Sequence, residues 1–163
     1  MNFDYAFPEN NEQDFLAVKK NLVFLYPKGR NFFAGKGVSA CFGGGRDSFE
    51  RGVPVIFGLE FSEKPDFIFH RNSGMNQVLA KIAKENNISV GFSFSGFKKA
   101  KNKAVVLGRM RQNMMLCRKY SVKTIVASFA FSPGELASGS ELTSFRNLLQ
   151  KKSAYKCKKR SCS

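Results

Sequence analysis

The chain has 163 residues, enough for one domain with a buried core, and sets 27 Lys and Arg against 12 Asp and Glu for a net charge of +15. Such a surplus selects a polyanionic partner, and nucleic acid fits better than an acidic membrane surface because no amphipathic anchor accompanies the charge. No apolar run approaches the roughly 20 residues of a bilayer-spanning helix, and "MNFDYAFPEN" lacks the basic-then-apolar order of a signal peptide, so the expectation is a cytoplasmic chain without a membrane partner.

From the N-terminus, "NFDYAFP" alternates in apolar character up to Pro8, and "NEQDFLAVKK" predicts a short helix that buries Phe15, Leu16 and Val18. "LVFLYP" is a continuous apolar run closed by a turn at "KGRN". "GVSACF" follows as another run, ended by Gly43, Gly44 and Gly45, and "RDSFERG" holds one helical turn. "VPVIFGLEF" and "DFIFH" predict strands separated by "SEKP". A helix from about Gly74 to Asn86 carries Met75, Val78, Leu79, Ile82 and Ala83 as one stripe, with Ser73 as its candidate N-cap. "ISVGFSFS" and "KTIVASFA" are strands; between them a helix over Ala104–Tyr120 aligns Val106, Met110, Met114 and Cys117. A last helix over Ser140–Gln150 turns Leu142, Phe145, Leu148 and Leu149 inward, and residues 151–163 form a basic, aperiodic tail expected to be mobile.

Continuous apolar strands imply burial on both faces, hence a mostly parallel sheet with crossover helices. About seven strands alternating with helices or short connections predict one α/β domain over residues 1–150, a compact or incomplete β/α barrel, with a doubly wound open sheet as the alternative. Cys41 and Cys117 fall in strand and helix patterns as small core residues. Cys157 and Cys162 lack the spacing and the His partners of a zinc knuckle. A reducing compartment suits such cysteines.

Catalytic patterns fail one after another. His70 is the only histidine, which excludes metal sites built from several imidazoles. The metal-dependent phosphoesterase barrels want a His-x-His pair after the first strand, where this chain has "DYAF", Asp4 to Phe7. Asp4, Glu60 and Asp66 lie near strand ends but form no closely spaced pair. "GFSFS" lacks the final Gly of a nucleophile elbow, and "AGKG" lacks both the first Gly and the Ser or Thr of a phosphate loop. No catalytic residue, metal or cofactor is therefore expected.

The basic residues carry more. Arg109, Arg111, Arg118 and Lys119 lie on the predicted helix, with Arg111 and Arg118 on one face at the edge of its apolar stripe. Lys98, Lys99, Lys101 and Lys103 crowd the connection before it, and His70, Arg71 and Asn72 offer donors at the end of a strand. Groups of this kind suit phosphate contact, and Arg stacks on unpaired bases.

"KPDFIFHRNSGMNQVLAKIAKENNISVGFSFS" and "VLGRMRQNMMLCRKYSVKTIVASFA", followed by "SPGEL", resemble the archaeal ribonuclease P protein component 3 family, the thirty-kilodalton subunit family, from about Asp66 to Leu149. Before Asp66 only the strand order agrees and the connections look trimmed. The resemblance implies a metal-free relative of the phosphoesterase barrel and a non-catalytic subunit of the ribonucleoprotein that removes 5′ leaders from precursor tRNA. There an RNA performs the cleavage, and the protein pairs with component 2 to support that RNA. The matching donors are His70, Arg71, Asn72, Arg109, Arg111, Arg118 and Lys119. Phe97, in the "SFSGF" turn, is the candidate contact with component 2. A metal-dependent phosphoesterase of the same superfamily and a generic RNA-binding chaperone are the competing functions.

Overall fold

A computed structural model of the protein describes residues 4–8, 12–18, 22–29, 31–35, 38–68 and 71–151. Strand β1 (Asp4–Ala6) is followed by helix α1 (Glu12–Val18) and strand β2 (Leu22–Phe24), which pairs with β1 in parallel, Tyr5 opposite Val23. Strands β3 (Tyr26–Gly29), β4 (Phe32–Gly35) and β5 (Val38–Phe42) run antiparallel to one another. Their connections are too short for anything else, since parallel neighbours need a crossover of a dozen residues or more. The turn expected at "KGRN" lies between β3 and β4, with Asn31 in the left-handed region at φ 65°. Pro27 sits in β3, the terminal strand of its sheet, where a missing N–H costs no ladder bond.

From β5 onward the sheet is parallel. Helix α2 (Arg46–Glu50) leads to β6 (Val55–Phe57), helix α3 (Gln77–Glu85) to β7 (Ser89–Ser93), and helices α4 (Phe94–Lys99) and α5 (Lys103–Lys119) to β8 (Lys123–Ala127), before helix α6 (Gly139–Gln150). The six-stranded order is β3-β4-β5-β6-β7-β8, so the mixed α/β architecture is rich in parallel strands, in line with the mostly parallel expectation, and carries a pair of hairpins at one edge. The ends of the two sheets are joined by main chain: the Leu25 N–H donates to the Ala6 carbonyl at 2.9 Å, and the Phe7 N–H to that of Ala130 at 2.8 Å. Asp4 seals the same seam, accepting from the Ser128 N–H and Oγ at 2.6 Å each.

Alternation along the strands divides the core. Ile56 of β6, Cys41 of β5 and Val90 and Phe92 of β7 face the helices and pack with Met110, Met114, Cys117 and Phe145. Val55, Phe57, Ala40 and Ala127 point the other way, into an aromatic cluster with Phe7 and Phe129. There the Phe57 and Phe129 rings stack at 4.3 Å, 6° from parallel. Cys41 and Cys117 are both buried and free, and burial pushes the Cys117 thiol up to about 12, which makes it inert as a nucleophile.

Several local expectations are corrected. The described part of "DFIFH", Asp66–Ile68, is irregular rather than a strand, with Phe67 67% and Ile68 94% exposed. Pro65 offers no donor, and the carbonyls just before it are taken by a side chain described below. The α3 cap is Asn76, whose side chain accepts from the Leu79 N–H at 2.9 Å, rather than Ser73. Met75 and Ala83 are buried, whereas Val78 is half exposed; Leu16 and Leu148 also lie further out than their patterns predicted. "SFSGF" is helix α4 rather than a turn. The basic stretch over residues 152–163, and with it Cys157 and Cys162, lies outside the described residues.

Candidate nucleic-acid interface

Helix α5 is the spine of the basic region. Asn102 caps it, accepting from the Val105 N–H at 3.2 Å, and Val106, Met110, Met114 and Cys117 bury one side, as their spacing requires. No acid occurs between Lys98 and Lys123, so nothing along this stretch neutralises its charge locally. Lys103 even occupies the first turn, where the helix dipole disfavours a cation by about 0.3–1 kcal/mol.

The cations divide into those already engaged and those left free. Arg109 belongs to the first kind and corrects the expectation of an RNA contact. It is 5% exposed, and its guanidinium is fully occupied. Nε donates to Asp66 Oδ1 at 2.8 Å, Nη1 to the carbonyls of Glu60 at 3.2 Å and Ser62 at 2.6 Å, and Nη2 to the carbonyl of Lys64 at 2.6 Å. Nη2 also lies 2.7 Å from Asp66 Oδ1. Five N–H groups thus meet five acceptor contacts. The hydrogen bond from Arg109 holds the Asp66 carboxyl below its ordinary range. The clamp gathers the carbonyl of Glu60, in the turn after β6, and those of Ser62 and Lys64 in the irregular segment that follows, so this loop is held by α5 rather than by a strand partner.

Asn72 is spent in the same loop. Its N–H donates to Asp66 Oδ1 at 2.9 Å and its side-chain amide to the Pro65 carbonyl, so it closes the loop instead of offering donors outward. His70 lies outside the described residues. Arg71 is exposed and crosses to α5, donating through Nη1 to the Gly108 carbonyl at 3.2 Å.

Arg111 and Arg118 reach the end of α6. Arg111 Nη2 donates to the Lys151 carbonyl and Arg118 Nη1 to that of Gln150 at 3.5 Å, a favourable place for cations at a helix C-terminus. Arg118 remains exposed and Arg111 partly so. Lys119 stands over the Tyr120 ring at 5.5 Å, and Lys98 over Phe94 at 5.6 Å. Lys99 is paired with Glu135 at 2.5 Å, while Lys101 and Lys103 are exposed at the start of α5. Phe97 lies on α4, partly buried, its ring 5.2 Å from that of Phe145; with Phe94 and Leu148 it lines a groove between α4 and α6.

The three acids weighed as metal ligands are held apart in role: Asp4 binds Ser128, Asp66 binds Arg109, and Glu60 is buried in the turn after β6. Burial pushes the Glu60 carboxyl up to about 8. Glu60 Oε1 and Asn113 Oδ1 are buried without a hydrogen-bond partner among the described residues, a feature the sequence pattern did not signal. The aromatic cleft formed by Phe42, Phe61 and Phe131 was also missed, because its residues come from the end of β5, the turn after β6 and the segment after β8.

Fold and site together define a small, basic β/α protein whose cations are displayed on helix faces and in which no group of three His, Cys, Asp or Glu is assembled among the described residues. Ribonuclease P protein component 3 of Methanosarcina mazei is 34% identical over 79 residues, and that of Methanosarcina acetivorans 36% over 76, covering 47% and 45% of this chain. Over that segment this chain is similar to ribonuclease P protein component 3, and the match spans about a third of the curated relatives' own length, 33% and 32%. Component 3 of Methanococcus vannielii is 29% identical over 80 residues. No family model matches the chain. A chain in the cryo-EM structure of archaeal ribonuclease P with mature tRNA superimposes with a TM-score of 0.63 over 90% of this chain and 72% of that one, at 16% identity, which supports the fold.

Proposed function

We propose that this chain is a protein subunit of ribonuclease P: it binds and supports the catalytic RNA together with component 2, and that RNA removes the 5′ leader from precursor tRNA. The identity of 34% over 79 residues to component 3 of Methanosarcina mazei carries the proposal. The acid-free run from Lys98 to Lys123 supports it from the chain's own chemistry. Arg71, Arg111, Arg118, Lys98, Lys101, Lys103 and Lys119 are the proposed phosphate contacts, since each is at least partly accessible. Phe97, at the α4–α6 groove, is the proposed contact with component 2. On the same reading the bond from the Leu25 N–H to Ala6 and those that join Tyr5 and Phe7 to Ala130 close the strands into a trimmed barrel within one domain. The cytoplasm is its proposed location, in keeping with free Cys41 and Cys117. Reconstituted cleavage of precursor tRNA, by the catalytic RNA and component 2 with and without this chain, tests the assignment. The expected result is higher cleavage when the chain is added. Equal stimulation of unrelated RNAs would make it a general chaperone, and cleavage without the catalytic RNA would make it a phosphoesterase.

A further inference from the structure

We propose that the cleft at the C-terminal ends of β5, β6 and β7 is a slot for one unpaired nucleobase, held by stacking on its phenylalanine rings. This rests on the RNA-binding reading above and adds a site to it. The cleft has a volume of about 270 Å³, and Phe42, Phe57, Phe61 and Phe131 form its walls, with Lys99 as the only charged side chain that lines it among the described residues. It occupies the place where β/α sheets receive ligands, outside the carboxyl ends of the strands.

The rings are seated by construction. A Cβ on Gly58, which has φ 75°, would lie 2.3 Å from Phe42 Cε2, and one on Gly96 would lie 2.6 Å from Phe61 Cζ, so both glycines make room for cleft walls. The Phe42 and Phe61 rings run 13° from parallel with centroids 6.2 Å apart. Phe131 stacks on Phe7 at 4.6 Å, and its N–H donates to Glu135 Oε2 at 3.0 Å, yet it remains 48% exposed. A large aromatic fixed in position and left in water is what a stacking platform requires.

The polar groups of the cleft decide the mode of recognition. Ser95 Oγ is spent on the Phe129 carbonyl at 2.8 Å; Ser93 Oγ accepts from the Gly96 N–H at 3.0 Å and reaches the Ser128 carbonyl at 3.4 Å. Neither is aimed at a base edge. The slot therefore reads the face of a base, which all four share, and tolerates sequence. Charge argues for a nucleotide over a neutral apolar ligand: Lys99 at the rim, 5.8 Å above the Phe131 ring, is spent on Glu135, but Lys98, Lys101 and Lys103 lie near it along the chain, exposed, for the phosphates.

The test compares a short oligouridylate with an abasic oligomer of equal length by fluorescence anisotropy, at several salt concentrations, on the intact chain. The base-bearing strand is expected to bind about tenfold tighter, the effect of one base–aromatic stack. Phe131→Ala removes that difference while Phe131→Tyr keeps it, and 5-iodouridine crosslinks the native chain at Phe131, Phe42 or Phe61. Equal affinity for both oligomers with a normal salt slope, or crosslinks confined to other residues, overturns the slot and leaves the RNA reading standing. No salt-dependent binding of either oligomer overturns both.

Discussion

Replacing Arg109 by Met separates a clamp from an RNA contact. Met retains the apolar stem but removes every hydrogen bond to Asp66 and to the carbonyls of Glu60, Ser62 and Lys64. Breaking a buried ion pair by deleting one partner costs about 3–5 kcal/mol, because the other is left uncompensated. The Asp66 side chain is 22% exposed and recovers some hydration, which places the expected loss at the lower end, about 3 kcal/mol. For a chain of this length that lowers Tm by about 6–12 °C. Lysine does not rescue it, since a single ammonium lacks the planar fork that spans these acceptors. The assay is thermal unfolding by circular dichroism, with RNA affinity measured at a temperature where both proteins are folded. An unchanged Tm together with RNA binding weakened tenfold or more would refute the clamp and return Arg109 to the interface.

How far the sequence revealed the site follows from which interactions are periodic. Helices α3, α5 and α6 were legible because one buried face repeats every 3.6 residues, and Met110, Met114, Cys117, Phe145 and Leu149 lie where that repeat put them. The β3–β4–β5 hairpins were legible in principle: the connections after Gly29 and Gly35 are too short for parallel crossovers, a length argument that apolar runs alone do not supply. Arg109 was illegible because nothing in its neighbourhood on α5 shows that its partners lie more than forty residues upstream. A cation in a basic helix resembles its exposed neighbours Arg118 and Lys119 until tertiary structure brings carbonyls to it. The same holds for Asp4, whose partner Ser128 is 124 residues away, and for the cleft, whose rings come from segments that meet only when the strands align. Apolar "DFIFH" carried a strand pattern that tertiary contacts overrode.

Double substitution Arg111→Ala and Arg118→Ala is expected to flatten the slope of log affinity against log salt by roughly 0.7–0.9 per lost phosphate contact. Tm should stay nearly constant, because each side chain spends one exposed bond on the end of α6; an unaltered slope removes both from the interface. Phe97→Ala is expected to weaken pulldown of component 2 and to lower stability by about 2 kcal/mol, since its ring is only partly buried against Phe145; unaltered pairing confines Phe97 to packing. Glu60→Gln tests the buried carboxyl. Burial raises it from 4.5 to about 8 in the folded chain, so the folded state holds a proton that the unfolded state releases. That contribution is fully present below pH 4.5 and is lost as pH rises through about 8, at a total cost on the order of 5 kcal/mol. Gln cannot ionise, so the variant should match the native chain near pH 4.5 and exceed it in denaturant midpoint at pH 9. Asp66 does not confound the comparison: Arg109 holds its carboxyl below 3.8, so its contribution is lost only in acid beneath that window. A native-to-variant difference that stays constant from pH 5 to 9 would mean that water reaches Glu60 and that its carboxyl titrates normally.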